Sequence, residues 1–239
     1  MASFHHRVKR GPKGSVAQHA SYIARQGFHS RRDDLIATCH GNMPEWVQND
    51  PNAFWRMGDR FERTNGAVHR EHEIALPSEL TLRQQLRLVD NLVQALTPKK
   101  PFQYAVHAPD SSLDGNTNVH LHLMFSDRVY DGVPRSPENT FRRYNSASPR
   151  DGGTRKGSGG RSPSDLRSEM IAIHKTSAVL QNQALERAGS DARVDHRSLT
   201  SQGINREPER HLGQARIRLM SKDQRAQYVA DRKKRISSR

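Results

Sequence analysis

NVHLHLMFSDR, residues 118–128, decides how this chain is read. Residues 119–125, VHLHLMF, put His120, His122 and Met124 on one side of a period-two pattern and Leu121, Leu123 and Phe125 on the other. That alternation predicts a strand whose apolar face meets a core. FQYAVHA, residues 102–108, is the other strong strand candidate, and DSSLDGNTN, residues 110–118, joins the two through an Asp-Gly dipeptide. The pair predicts an antiparallel hairpin with a long loop.

Two histidines spaced two apart on a strand project side by side, close enough to share one metal ion. Pairing the hairpin brings His107 next to His120 and His122. Three neutral imidazoles without a fourth protein ligand leave coordination positions open, as a catalytic metal needs. Imidazole donors suit Mn, Zn, Ni or Co more readily than Mg. The competing reading is a set of surface histidines, in a chain that has 13 of them.

The residues around this hairpin supply further candidates. VHREHEIAL, residues 68–76, alternates like a strand and places Glu71 and Glu73 on one face. Either carboxylate could accept the free ring N–H of a ligating histidine and so hold its tautomer. A nucleophile is sought in Tyr22, on a helix predicted from Val16 to Gln26. His19 and Arg25, at i−3 and i+3, share its face and would stabilise negative charge on its oxygen. Tyr104 competes by sharing a strand with His107, but three residues of separation turn it to the opposite face. Cys39 falls in a polar segment read as irregular, without an activating partner.

Composition points to the partner. Lys and Arg number 39 against 25 Asp and Glu, giving a net charge of +14, with a sequence pI near 10.6. A soluble chain this basic is usually held against a polyanion, most often nucleic acid. Arg25, Arg142, Arg143 and Lys156 are the residues expected on DNA. Cys39 is the only cysteine, which excludes a disulfide framework and thiolate-rich zinc sites and fits a reducing cytosol. The N-terminus, MASFHHRVKRGPKG, lacks the apolar stretch of a secretory signal, and no run approaches the roughly 18 apolar residues of a membrane span. The expected location is the cytoplasm.

The remaining segments predict a mixed chain. Residues 3–8 read as a first strand, followed by a turn at 11–14, and Ser15 and Gly27 read as the N-cap and stop of the helix bearing Tyr22. A second helix starts at Pro51 with Asp50 as N-cap, carries Phe54, Met57 and Phe61, and ends at Gly66. Thr81 and Gln84 make a capping box before Leu82, Leu86, Val89, Val93 and Leu96 at helical spacing. Residues 146–164, rich in Ser, Gly and Arg, read as a mobile basic loop. A long helix then opens at Ser162-Pro163 with Asp165, buries Leu166, Met170, Ile173, Leu180 and Ala184, and stops at Gly189. Residues 191–196 read as a last strand, and 214–239 as a basic tail with nine Lys or Arg and two Asp.

Taken together and in order, several segments resemble the MobA/MobL-type relaxases of mobilisable plasmids, within the HUH endonuclease superfamily. They are FHH at 4–6, HASYIARQG at 19–27, FERTNGAVHREHEIALPSELTLRQQ at 61–85, AVHAP at 105–109, NVHLHLMFSDR at 118–128, VDHRSLTSQGI at 194–204 and HLG at 211–213. Any one of them is weak; their agreement from Phe4 to about Gly213 is specific. The resemblance implies an α/β (α+β) relaxase fold, a central antiparallel sheet with packed helices and the metal site on its open face. It implies a relaxase domain over 1–213, Tyr22 as nucleophile, His107, His120 and His122 as metal ligands, and Glu71 or Glu73 as their support. Family members use Mg or Mn, against the imidazole preference for Mn, Zn, Ni or Co, and the ion stays open. A short basic tail after Gly213 fits either a short native protein or an excised domain.

The implied activity is nicking and rejoining of one DNA strand at an origin of transfer through a 5′-phosphotyrosyl intermediate. Implied partners are single-stranded origin DNA, accessory relaxosome proteins and the coupling protein of a type IV secretion apparatus, with translocation alongside the DNA. The alternatives are a rolling-circle replication initiator of the same superfamily, or a DNA-binding accessory protein without catalysis.

Overall fold

The hairpin sits at the centre of a five-stranded sheet in which every neighbouring pair is antiparallel. In this computed structural model, which describes residues 4–110, 117–205 and 212–237, the strands are β1 (His6–Pro12), β2 (Leu35–Gly41), β3 (Ala67–Ala75), β4 (Phe102–His107) and β5 (His120–Phe125). Their order is β1-β3-β5-β4-β2. Register sets His107 opposite His120 and Ala105 opposite His122, while β3 sets Glu73 opposite His122. Residues directly opposite share a face of the sheet, so the hairpin and β3 present the three histidines and both glutamates to one side.

Helices cover both faces. The helices are α1 (Val16–Ile23), α2 (Pro51–Phe61), α3 (Leu82–Leu96), α4 (Pro137–Phe141), α5 (Pro163–Arg187), α6 (Gly213–Leu219) and α7 (Lys222–Ser237). Leu121 and Leu123 pack with Ile74, Val106, Leu88, Leu92 and Leu185 in a core under α3 and α5. On the histidine side, Met124 and Ala105 pack with Val16, Ala20, Ile23, Phe54, Trp55 and Phe141 from α1, α2 and α4. Each fully buried large side chain here contributes about 1.5–3 kcal/mol by leaving water. The split follows the alternation of β5: one set of side chains goes to each core.

Several local expectations hold, and each has a physical cause in the structure. Thr81 and Gln84 exchange cap hydrogen bonds, as do Ser162 and Asp165. Asp50 accepts the amide of Asn52 at the start of α2. Gly189 takes a φ of 71° just beyond α5. Leu82, expected in the stripe of α3, is exposed, and Leu88 and Leu92 are buried in its place. On α5 the fully buried positions are Ser177, Ala178, Gln181 and Leu185, while Ile173, Leu180 and Ala184 are half-buried against the same core.

Other expectations are corrected. The first strand runs on to Pro12, beyond the expected 3–8. The segment around Cys39 is not irregular: it is β2, an edge strand with one neighbour, whose polar residues face solvent and hide the alternation. Residues 191–196 form no strand, because the side chain of Asn182 takes both backbone groups of Val194, at 2.9 and 2.8 Å. α1 ends at Ile23, short of the expected Gln26, and Arg25 takes a left-handed φ of 52° before Gly27 does so at 59°. α2 stops at Phe61, five residues before Gly66, where buried Glu62 turns extended to meet Arg128.

The segment expected as a mobile basic loop, 146–164, is bonded to the rest of the fold near its middle, at 154–158. Glu62, with a side chain 1% exposed, pairs with Arg128 at 2.8 Å and Lys156 at 3.0 Å. Arg128 also donates to the carbonyls of Thr154 and Phe141. Of the residues expected as a basic tail, 214–219 lie in α6 and 222–237 in α7, with Ile217 buried. The Asp-Gly dipeptide at 114–115 and His211 of the HLG motif lie outside the described residues.

Candidate metal centre and nucleophile

The three imidazoles expected to share a metal converge. His107, His120 and His122 each offer a ring nitrogen within 4.8 Å of the others. His107 and His122 are buried and His120 is half-buried. The Nδ1 of His122 is 2.5 Å from Glu71 Oε1, and the Nδ1 of His120 is 2.9 Å from the carbonyl of Asn118. Each of these acceptors holds its ring with the Nε2 lone pair free for an ion. His107 is held at both nitrogens, Nε2 2.7 Å from the carbonyl of Ile23 and Nδ1 3.2 Å from Arg25. To bind an ion it would have to exchange one of those contacts. Burial first, then the charges of His122 and Arg25, lowers the pKa of His107 from 6.5 to about 4, so the ring is neutral near pH 7. The donor set therefore fits a divalent ion.

The two glutamates divide the work. Glu71, 1% exposed, bridges His122 through Oε1 and His19 through Oε2, the latter at 2.7 Å. Burial opposes its ionisation, but the hydrogen bonds from His122 and then His19 outweigh that and hold its carboxyl well below the usual range. Glu73 instead pairs with Lys9 on β1. Glu71 is thus the carboxylate in contact with the triad.

Tyr22 stands on a helix fixed to the triad on both sides of it. His19, one turn before, is bound to Glu71; Ile23, one residue after, gives its carbonyl to His107. The tyrosine is half-buried, its hydroxyl accepts from Arg32 at 3.3 Å, and its ring meets His29 edge-on with centroids 5.1 Å apart. The start of α1 is capped from another helix: Asp59 of α2 accepts the amides of Gly14, Val16 and Ala17, at 2.7, 3.2 and 2.9 Å. Ser15, the expected cap, makes no side-chain cap bond. A groove of about 460 Å³ opens beside Tyr22, with Lys9 and Arg10 on its wall.

The residues expected on DNA separate into two pairs. Arg25 has a side chain 5% exposed and a two-pronged bond to Asp34, with both contacts at 2.7 Å, and it also reaches the carbonyl of Tyr22 and His107. Lys156 is 19% exposed and bound to Glu62 and the carbonyl of Ala67. Arg142 and Arg143 are exposed, Arg142 with a Glu138 partner one turn away. Sequence reasoning missed Asp34, Asp59 and His69; only His69 carried a signal, being two residues before Glu71 on the same strand face.

An antiparallel sheet with packed helices, a histidine triad and a tethered tyrosine defines an α/β protein of relaxase-type fold. A model of the MobA/MobL family matches residues 15–222, and the chain belongs to that family. It is 41% identical over 210 residues to the 43 kDa relaxation protein of Salmonella typhimurium, covering 87% of this chain and 57% of that protein. It is 40% identical over 221 residues to Mobilization protein A of Escherichia coli, covering 89% of this chain and 30% of that one. The chain thus spans little more than half, or less, of these curated relatives. A solved structure from work on the molecular basis of vancomycin resistance transfer in Staphylococcus aureus shares the fold, with a TM-score of 0.60 at 18% identity over 82% of this chain and all of that one.

Proposed function

We propose that the chain is the nicking domain of a plasmid-mobilisation relaxase, with Tyr22 as nucleophile and His107, His120 and His122 as the metal ligands. The observation that supports this reading is the double tether of the tyrosine's helix, through His19 to Glu71 and through the Ile23 carbonyl to His107, to strands that carry three convergent imidazoles. The family membership and the relatives' names, relaxation protein and mobilization protein, support it.

In this reading a single strand from an origin of transfer lies in the groove along Lys9, Arg10 and Tyr22. The phenol oxygen of Tyr22 attacks the scissile phosphorus in line, its proton passing to solvent in the groove. The bond to the 3′ oxygen breaks, that oxygen is protonated, and a 5′-phosphotyrosyl ester remains. A divalent ion, Mn or Mg by family habit and Zn, Ni or Co by donor type, would supply positive charge to a phosphoryl oxygen. Glu71 holds His122 in its ligating tautomer, and Arg25 and Arg32 place positive charge at the tyrosine ring and hydroxyl. Reverse attack by a 3′-hydroxyl rejoins the strand. Accessory proteins and a type IV coupling protein are the proposed partners, and the cytoplasm the proposed compartment. Among the described residues no helix is long and apolar enough to cross a membrane.

The test is covalent capture. With divalent metal and an oligonucleotide from its own origin region, the protein should form an SDS-resistant adduct through a 5′ phosphate. Tyr22→Phe removes one oxygen and should form none while still binding the strand. Adduct on the peptide containing Tyr104, which packs in the core of the opposite sheet face, or on any peptide without Tyr22, refutes the assignment. A DNA-binding accessory protein would form no adduct at all.

A further inference from the structure

We propose that His19, His69 and Glu71 form a second site for a divalent transition-metal ion, separate from the histidine triad and sharing Glu71 with it. His69 and Glu71 alternate on β3 and so share its face, and His19 of α1 lies against them. One donor atom from each lies within 4.8 Å of the others. The two oxygens of Glu71 are already divided, Oε1 to His122 of the triad and Oε2 to His19. A carboxylate with one oxygen for each cluster can orient a ligand of one ion through Oε1 and offer Oε2 to the other.

His69 supplies a second, independent observation. It is 6% exposed, yet its Nδ1 is buried without a hydrogen-bond partner. Buried polar side chains are nearly always paired, so an orphan nitrogen on a ring that also belongs to this cluster calls for a partner that the protein does not supply. Its ring is also specifically accommodated: a Cβ on Gly11 would lie 2.0 Å from His69 Cε1, so only glycine on β1 admits the ring there. His69 stacks on His19 with ring centroids 5.5 Å apart and planes 23° apart. His19, His69 and Glu71 all line the groove beside Tyr22, and the side chain of His19 is 32% exposed, which gives an ion a way in.

Two imidazoles and one carboxylate are a donor set for Zn, Mn or Fe(II) rather than Mg, and three protein ligands leave positions for water or a phosphate oxygen. The inference does not rest on Tyr22 chemistry. The alternative occupant is a proton shared by His19 and Glu71, with no metal.

The experiment is a titration of metal-free full-length protein with Mn(II) and with Zn(II), followed by calorimetry and metal analysis. Two equivalents are expected for the native chain. His19→Ala and His69→Phe should each leave one, weakening the second ion by more than the roughly 10–100-fold that a change beyond the ligands costs. His107→Ala should also leave one, the other. His19 is on the groove surface, so its variant remains decisive if His69→Phe does not fold, with circular dichroism confirming the fold. Two equivalents retained in His19→Ala overturn the inference. One equivalent in the native chain, lost in His107→Ala and kept in His19→Ala, overturns it and leaves the triad standing. One equivalent lost in His19→Ala and kept in His107→Ala sustains it and overturns the triad.

Discussion

Asp59→Ala tests whether the helix that carries Tyr22 is held by a residue of another helix. The carboxylate of Asp59 accepts three amides at the start of α1, those of Gly14, Val16 and Ala17. Losing an N-cap acceptor costs about 0.5–2 kcal/mol. A negative group at a helix N-terminus adds about 0.3–1 kcal/mol through the helix dipole. Three amides on one ionised group, two of them partly buried, place the cost near the top of that range, about 2 kcal/mol. For a domain of this size each kcal/mol moves the melting temperature by about 2–4 °C, so a fall of about 4–8 °C is expected. Asp59→Asn keeps one acceptor oxygen and should lose about half as much. Ser15→Ala should stay within about 0.5 kcal/mol, because Ser15 makes no cap bond. Thermal and urea unfolding of the three variants, alongside adduct formation, measure this. Equal losses in Ser15→Ala and Asp59→Ala, or an unchanged midpoint in Asp59→Ala, refute the reasoning.

The other predictions are shorter. His107→Ala, His120→Ala and His122→Ala should each weaken binding of the triad's ion by about 100-fold or more, beyond the 10–100-fold of second-shell changes; unchanged affinity in calorimetry for all three sinks the triad. Stability should fall in acid: burial, then the charges of His72 and His174, lowers His6 from 6.5 to about 2, and burial, then the charge of Lys100, lowers His72 from 6.5 to about 3. The folded rings stay neutral while the unfolded chain takes up protons, so unfolding free energy is full above pH 6.5 and declines from there towards pH 3, by up to about 1.4 kcal/mol per pH unit for each ring. His72→Phe should flatten that decline in urea titrations, and an equal decline in the variant contradicts the account. For DNA, Arg142→Ala and Arg143→Ala should each lower the slope of log affinity against log salt by about 0.7; Lys156→Ala should leave the slope unchanged and lower the melting temperature, since its charge is spent on Glu62.

Much of the centre was legible because alternation survives where a strand is packed on both sides. β3, β4 and β5 each have two neighbours in the sheet, and their side chains divide between two cores. His120, His122 and the pair Glu71 and Glu73 followed from that alternation, and His107 from pairing the hairpin; that Glu71 rather than Glu73 touches His122 is a matter of side-chain reach that alternation does not encode. β2 was not legible because Leu35–Gly41 is an edge, with Thr38 and Cys39 exposed. The cap of α1 was not legible because Asp59 lies 43 residues from Val16. Arg25 and Lys156 were read as DNA contacts because a basic residue looks the same in sequence whether it faces solvent or a buried carboxylate. Asp34 and Glu62, which bind them, carry no local mark of that role.

The dependence of the site on distant residues follows from the size of α1. It has eight residues, and an isolated helix shorter than about 12–15 residues is marginal in water. Tyr22 therefore has a defined position only because the rest of the fold imposes it. Val16, Ala20 and Ile23 anchor the buried side of the helix in the core. Asp59 closes its start, and the Arg25–Asp34 pair closes its end, where Arg25 also donates to the carbonyl of Tyr22. Between those ends, His19 and Ile23 bind the two histidine strands through Glu71–His122 and His107. A displacement of the helix must therefore break contacts that also orient the three histidines, so Tyr22 and the histidines are positioned as one unit. Substitutions at Asp59, Asp34 or Arg25 are therefore expected to act through that unit.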